Sequence, residues 1–193
     1  MSPEIRPVVG VQNLSGQLVV DEWNDDGSRR FDKGIDQLQG VVDSIRNDPF
    51  GRRHIISAWN PKELNDTALP PCHCFVQFYV NDGRLSCQFY MRSCDLFLGF
   101  PLNLLSYSIL TSLVADATGL SPGEVIFTGG DVHIYNNHMK QVNLQIEREP
   151  YPFPKLLVKR TVQSIKDMEA LTFDDFEFLN YKHHPVIKAE MAV

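Results

Sequence analysis

The chain lacks most features that would assign it to a special class. Four cysteines occur, Cys72, Cys74, Cys87 and Cys94, but none forms a C-x-x-C pair, so a structural zinc site has no sequence support. No stretch reaches the roughly 18 consecutive apolar residues that a membrane span requires. The longest mostly apolar stretch, Leu96 to Leu105, is broken by Gly99, Pro101 and Asn103. The start, Met1-Ser2-Pro3-Glu4, has no charged-then-apolar run of the kind a signal peptide carries. Positive charge is in deficit: 18 basic minus 24 acidic residues leaves −6, with a pI near 5.5. That balance argues against non-specific nucleic-acid binding, and any anionic ligand needs a local basic site working against the overall field. Neither G-x-x-x-x-G-K-S/T nor G-x-G-x-x-G occurs, so a P-loop or dinucleotide fold gains no support. There is no internal repeat or low-complexity segment. The expectation is a cytoplasmic protein with reduced thiols, no metal, no membrane association and no specific nucleic-acid partner.

What is present is ordinary globular material. Hydrophobic residues make up 43% and charged ones 22% of 193 residues, enough for one domain over residues 1–193. Such a chain buries roughly 70% of its unfolded surface and needs no metal or disulfide to hold it. Residues 1–34 are weakly patterned. Ile35, Leu38, Val41, Val42 and Ile45 then recur at helical spacing until Asn47-Asp48-Pro49 stops the run. His54 to Trp59 reads as a strand. Cys74 to Val80 and Leu85 to Met91 read as a hairpin turning at Asn81-Asp82-Gly83, and their near-continuous apolarity predicts cover on both faces. Pro101 to Leu120 reads as a helix ending at Gly119. Residues 125–128, 142–147 and 156–159 read as further strands, which makes the class α+β with a large mixed β-sheet packed with helices.

Several residues could carry chemistry, each with a bland alternative. Cys72 lies between Pro70-Pro71 and His73, at a stiff strand start. It is a nucleophile if cations favour its thiolate, and otherwise a small buried hydrophobe. Arg92 with Ser93 can fork onto a phosphate, and Arg52-Arg53 can join them, although solvated faces or salt bridges account for arginines equally well. Asp131, His133 and Tyr135 alternate and so can share one face, where His133 and Tyr135 could bind a sugar hydroxyl or simply satisfy each other.

Taken in order, these segments resemble the thymidylate synthase family. The resemblance rests on Arg52-Arg53 before His54 to Asn60, Leu69-Pro70-Pro71-Cys72-His73, Gln77-Phe78-Tyr79 and Leu85-Ser86-Cys87-Gln88. It continues in Arg92-Ser93-Cys94-Asp95, Leu98-Gly99-Phe100-Pro101, Asn103, Thr128 to Tyr135, Arg148-Glu149-Pro150 and the terminal Ile187 to Val193. It runs from about Ile35 to the end, with residues 1–34 matching weakly. It implies a thymidylate synthase-like fold and a sheet-to-sheet homodimer. Cys72 would add to C6 of dUMP. Arg92 would bind the phosphate and stabilise the thiolate, with Ser93 as a second phosphate donor. Arg52 and Arg53 would reach the phosphate of the partner's site. His133 and Tyr135 would hold the ribose 3′-hydroxyl, and Asn103 would read uracil, since its amide pairs with O4 and N3–H. An aspartate at that position is the cytosine-reading pattern of the related hydroxymethylases. Asp95 would border the nucleotide and bond the pterin, with Gly99 and the Val193 end completing the folate site. The cosubstrate would be 5,10-methylenetetrahydrofolate, and the reaction reductive methylation to dTMP.

Two departures qualify that resemblance. Met91 stands where thymidylate synthases usually carry glutamine, and Met91-Arg92-Ser93 is closer to phage hydroxymethylases. A dUMP 5-hydroxymethylase, in which water replaces hydride, is therefore the rival enzyme. The resemblance also implies that the family's N-terminal third is absent, with its arginine loop and proton-handling glutamate. A non-catalytic remnant or half of a split enzyme, binding nucleotide or dimerising, is the remaining reading.

Overall fold

In the computed structural model, residues 22–23, 29–30, 35–65 and 67–191 are described. The hairpin organises the rest. Strands β4 (His73–Asn81) and β5 (Arg84–Asp95) pair antiparallel around Asp82 and Gly83, whose φ values of 49° and 73° make a tight turn matched to strand twist. β3 (Ile55–Ser57) adds antiparallel outside β4, and β6 (Ser121–His133) adds parallel outside β5, giving the order β3-β4-β5-β6. A parallel neighbour needs a long crossover, and α2 (Phe100–Thr118) supplies it. Pro101 sits in the first turn of α2, where a missing N–H costs nothing, and Gly119 ends it at φ 72°. α1 (Gln37–Asn47) starts at Asp36, whose side chain accepts from the Gln39 N–H at 2.9 Å, and it buries Leu38, Val41, Val42 and Ile45.

Both helices contribute to one core cluster with Val76, Phe78, Val80, Leu85, Cys87, Phe89 and Met91. Each large side chain there contributes roughly 1.5–3 kcal/mol of transfer free energy. Nothing among the described residues covers the opposite face, contrary to the expectation of cover on both sides: Tyr79 is 62% exposed, and Tyr90 and Ile126 are also open. Period-two alternation is present in β5, but aromatic residues on the open face disguise it as continuous apolarity.

Two further expectations are corrected. Residues 142–147 are not a strand: residues 142–146 belong to the helix α3 (Met139–Ile146), entered through a 3₁₀ turn at Asn136–His138, and Glu147 is its C-cap. Val142, Leu144 and Ile146 mimic strand alternation, yet α3 buries none of its residues, so burial never tested the pattern. The strand expected over 156–159 exists as β7 (Lys155–Val158), but it pairs with β8 (Phe176–Leu179) outside the main sheet. That pair and α4 (Ile165–Glu169) follow a second small core around Leu113, Ala117 and Val162. β1 (Glu22–Trp23) pairs with β2 (Arg29–Arg30). No helix among the described residues is long and apolar enough to cross a membrane.

Candidate active site

Pro70 and Pro71 donate no backbone hydrogen bonds, so their carbonyls are what fix the approach to Cys72. Arg92 takes both: Nε donates to the Pro71 carbonyl at 3.0 Å and Nη2 to the Pro70 carbonyl at 2.7 Å. The Arg92 backbone N–H donates to the Cys72 carbonyl at 2.9 Å, extending the β4/β5 ladder beyond His73. The result places Nη2 of the guanidinium 3.9 Å from Cys72 Sγ. A permanent cation thus stands beside a half-buried sulfur.

The other three cysteines are differently placed. Cys74 spends its thiol on the Pro71 and Cys72 carbonyls, at 3.7 and 3.6 Å. Burial pushes the Cys87 thiol up to about 11, against a smaller opposing hydrogen bond from Thr111. Burial also raises Cys94, with the charges of Asp95 and Cys72 adding to it. Cys87 and Cys94 are thus kept as neutral thiols.

Around Cys72 the first turns of α2 bring in polar groups. Asn103 donates from Nδ2 to Met91 Sδ at 3.7 Å, a weak bond that leaves its other N–H for a ligand. His73 is held below its ordinary range chiefly by burial, with a bond to Asn103 opposing the shift. Its Nδ1 lies 3.1 Å from the Tyr107 hydroxyl. Tyr107 stacks on Phe89 at 3.9 Å between ring centroids and is pushed up to about 12, first by burial and then by the nearby thiols of Cys87 and Cys74. Asp95 uses Oδ1 to accept from the N–H groups of Phe97 and Leu98 at 3.0 and 3.4 Å, closing the turn into α2. A side chain at Gly99 would come within 3.2 Å of the Asp95 carbonyl, so glycine lets this turn lie against Asn103.

The parallel register sets Ser93 opposite Asp131 and Asp95 opposite His133. Both strands therefore deliver their carboxyl ends to one place, the usual location of a ligand crevice beside a parallel pair. A Cβ at Gly130 would sit 2.9 Å from the Arg92 carbonyl and 2.8 Å from the Tyr90 hydroxyl, so only glycine permits this approach. His133 Nδ1 meets Asp131 Oδ1 at 3.1 Å, and the His133 ring lies edge-on to Tyr135 at 4.9 Å.

Cys72, Arg92, Ser93, Asp95, Gly99, Asn103, His133 and Tyr135 all belong to this end of the sheet. Arg52 and Arg53 do not join them: both are exposed ahead of β3, and among the described residues neither side chain bonds to the Cys72 group. Val193 lies outside the described residues. The sequence reading missed Tyr107, although its spacing four residues after Asn103 on one helix was a usable signal. It also missed His138, which follows Tyr135 in the same run. Among the described residues no group of three or more His, Cys, Asp or Glu could hold a metal ion.

A protein-family model described as thymidylate synthase matches residues 9–193. The match takes in residues 9–34, which the quoted segments reached only weakly.

Proposed function

The chain belongs to the thymidylate synthase family, and on that premise we propose that it reductively methylates dUMP to dTMP. The observation that carries this reading is the approach of the Arg92 guanidinium to Cys72 Sγ at 3.9 Å, with the prolyl carbonyls holding both in register. Cys72 adds as thiolate to C6 of the uracil ring, and the C5=C6 π electrons move to C5 and O4, making C5 the nucleophile. Asn103 orients the base through its second N–H and the carbonyl lone pair that His73 does not use. Ser93 and the Nη1 edge of Arg92 take the phosphate. His133 and Tyr135 hold the ribose hydroxyl. Arg52 and Arg53, exposed and remote from this chain's own Cys72, serve the phosphate of a second protomer joined through the uncovered sheet face.

The residues present fit a folate. Among the described residues Asp95 Oδ2 has no partner, and neither has the buried Gln141 Oε1, which sits beside a cavity of about 710 Å³ that Leu98 and Ile187 also line. Bound 5,10-methylenetetrahydrofolate supplies the one-carbon unit and the hydride. Asp95 and Gly99 border it, and the end of the chain near Val193 excludes water from it.

The test is the full chain with dUMP and methylenetetrahydrofolate, scored for both products. Dihydrofolate appearing with dTMP supports the reading. Hydroxymethyl-dUMP without dihydrofolate selects the hydroxymethylase instead, the outcome that Met91 beside the base reader favours. Bound dUMP without either product leaves a non-catalytic nucleotide binder. Cys72→Ser should lower kcat by at least about 10³-fold with dUMP affinity within about threefold of the parent. Near-parental turnover by that variant would remove Cys72 from its role.

A further inference from the structure

Residues 181–191 form neither helix nor strand, and none of them enters either core cluster. Val186 and Met191 are 80% and 81% exposed. The segment is nevertheless held, by side chains projecting from the stretch between Asn137 and Arg148. Arg148 Nη1 donates to the Pro185 carbonyl at 2.8 Å, and Gln141 Nε2 to the Lys188 carbonyl at 3.5 Å. Asn137 Nδ2 and His138 Nε2 both reach the Glu190 carbonyl, at 3.4 and 2.7 Å. The reciprocal bond runs from His184 Nε2 to the Glu149 carbonyl at 2.8 Å. The two segments thus run antiparallel, and the spacing 138, 141, 148 keeps the donors on one side of α3 and its extension.

Four of these five bonds end on main-chain carbonyls of the tail, so they set its register without reading its side chains, and only His184 contributes a tail side chain. The last rung differs from the rest. His138 is fully buried, its bond is the shortest of those made by α3 and its flanks, and the other rungs lie nearer to solvent. A carbonyl can only accept, so Nε2 carries a proton, while Nδ1 is buried and has no hydrogen-bond partner among the described residues. The ring also lies 5.4 Å from Phe97 and edge-on to Tyr135 at 5.9 Å. His138 therefore stands between the end of the chain, the Asp95–Leu98 turn and the His133–Tyr135 pair.

We propose that His138 is a positioning residue whose Nε2–H latches the Glu190 carbonyl and thereby sets where residues 187–191 lie against the Asp95–Leu98 turn and Tyr135. The kinetic consequence rests on the thymidylate synthase reading, in which the chain end borders folate. The latch itself does not.

Lys188 is exposed two residues before the latch, so trypsin cleavage after it reports detachment of the tail, and Lys62 in an exposed loop serves as internal control. In the full chain, His138→Ala should be cut after Lys188 about tenfold faster than the parent with Lys62 unchanged. His138→Gln, whose amide can replace the Nε2–H, should return most of the protection. With methylenetetrahydrofolate as the varied substrate, His138→Ala should raise KM about tenfold while the Kd for dUMP stays constant. If His138→Ala accelerates both sites through general unfolding, Gln141→Ala decides: about threefold faster cutting at Lys188 alone upholds the ladder, and no change overturns it. Unchanged Lys188 cleavage in a folded His138→Ala chain also overturns the latch, whatever the turnover. A parent without turnover that still shows selective Lys188 exposure in His138→Ala keeps the latch and fails only the catalytic reading.

Discussion

The two faces of the β3–β6 sheet are built from alternate residues of the same strands, yet they are opposites. On the covered face Val76, Phe78, Val80, Leu85, Cys87, Phe89 and Met91 are between 0% and 7% exposed under α1 and α2. On the other face Gln77, Tyr79, Gln88 and Ile126 stay open around a groove of about 490 Å³ that Arg84 and Glu124 also line. The covered face is finished by this chain alone, because the amphipathic α1 and the largely apolar α2 return across it. The open face offers aromatic and amide groups that nothing among the described residues covers. The candidate site borrows from the finished side: Met91, Tyr107 and the flank of Cys72 all pack on that core.

The difference can be broken at three levels. Phe89→Ala removes a fully buried ring stacked on Tyr107 and should cost about 3–5 kcal/mol in urea unfolding, with turnover falling as Tyr107 loses its support. A loss under about 1 kcal/mol would mean that the covered face is not tightly packed.

The next effect is electrostatic and belongs to the covered face alone. Cys87 ionises in the unfolded chain from about its ordinary 9.0 but in the fold only near about 11. The unfolded state therefore releases its proton first, and stability falls as pH rises through that window. The Cys87 contribution between pH 9 and pH 10 is roughly 1 kcal/mol. Cys87→Ala should flatten the alkaline arm by that amount in unfolding curves at the two pH values, with Tyr107 supplying a residual slope at higher pH because its ionisation is also delayed, to about 12. An unaltered slope would reject burial of the thiol as its cause.

The smallest effect on the fold is expected on the open face. Tyr79→Lys with Ile126→Lys should change the stability of the isolated chain by no more than about 0.5 kcal/mol. If two protomers meet through this face, the same pair of lysines should abolish the concentration dependence of sedimentation. A destabilisation approaching that of Phe89→Ala would show that the face is packed within one chain.

Local elements with a chemical signature were legible before any coordinates. The turn at Asp82-Gly83, the stop at Gly119 and the amphipathic α1 follow from backbone freedom and periodicity, which act over a few residues. Residues 142–147 were misread because alternation identifies a strand only where one face is buried, and α3 buries neither. Cys72 was the favoured cysteine from its prolines and from the family resemblance, but nothing local showed a cation beside it. That cation is Arg92, twenty residues away in the chain and 3.9 Å away in space. His138 had no local signal either, since its partner lies 52 residues on.

By itself, then, the sequence determined the secondary elements that short-range sterics and patterning dictate, the α+β class, the absence of a basic surface and the segments that mark the family. Only the tertiary structure decided which cysteine faces a cation, which sheet face is left uncovered and what holds the tail. Each of these depends on contacts between residues far apart in the chain, and the energies of such contacts exist only once strand register and helix crossing have been set.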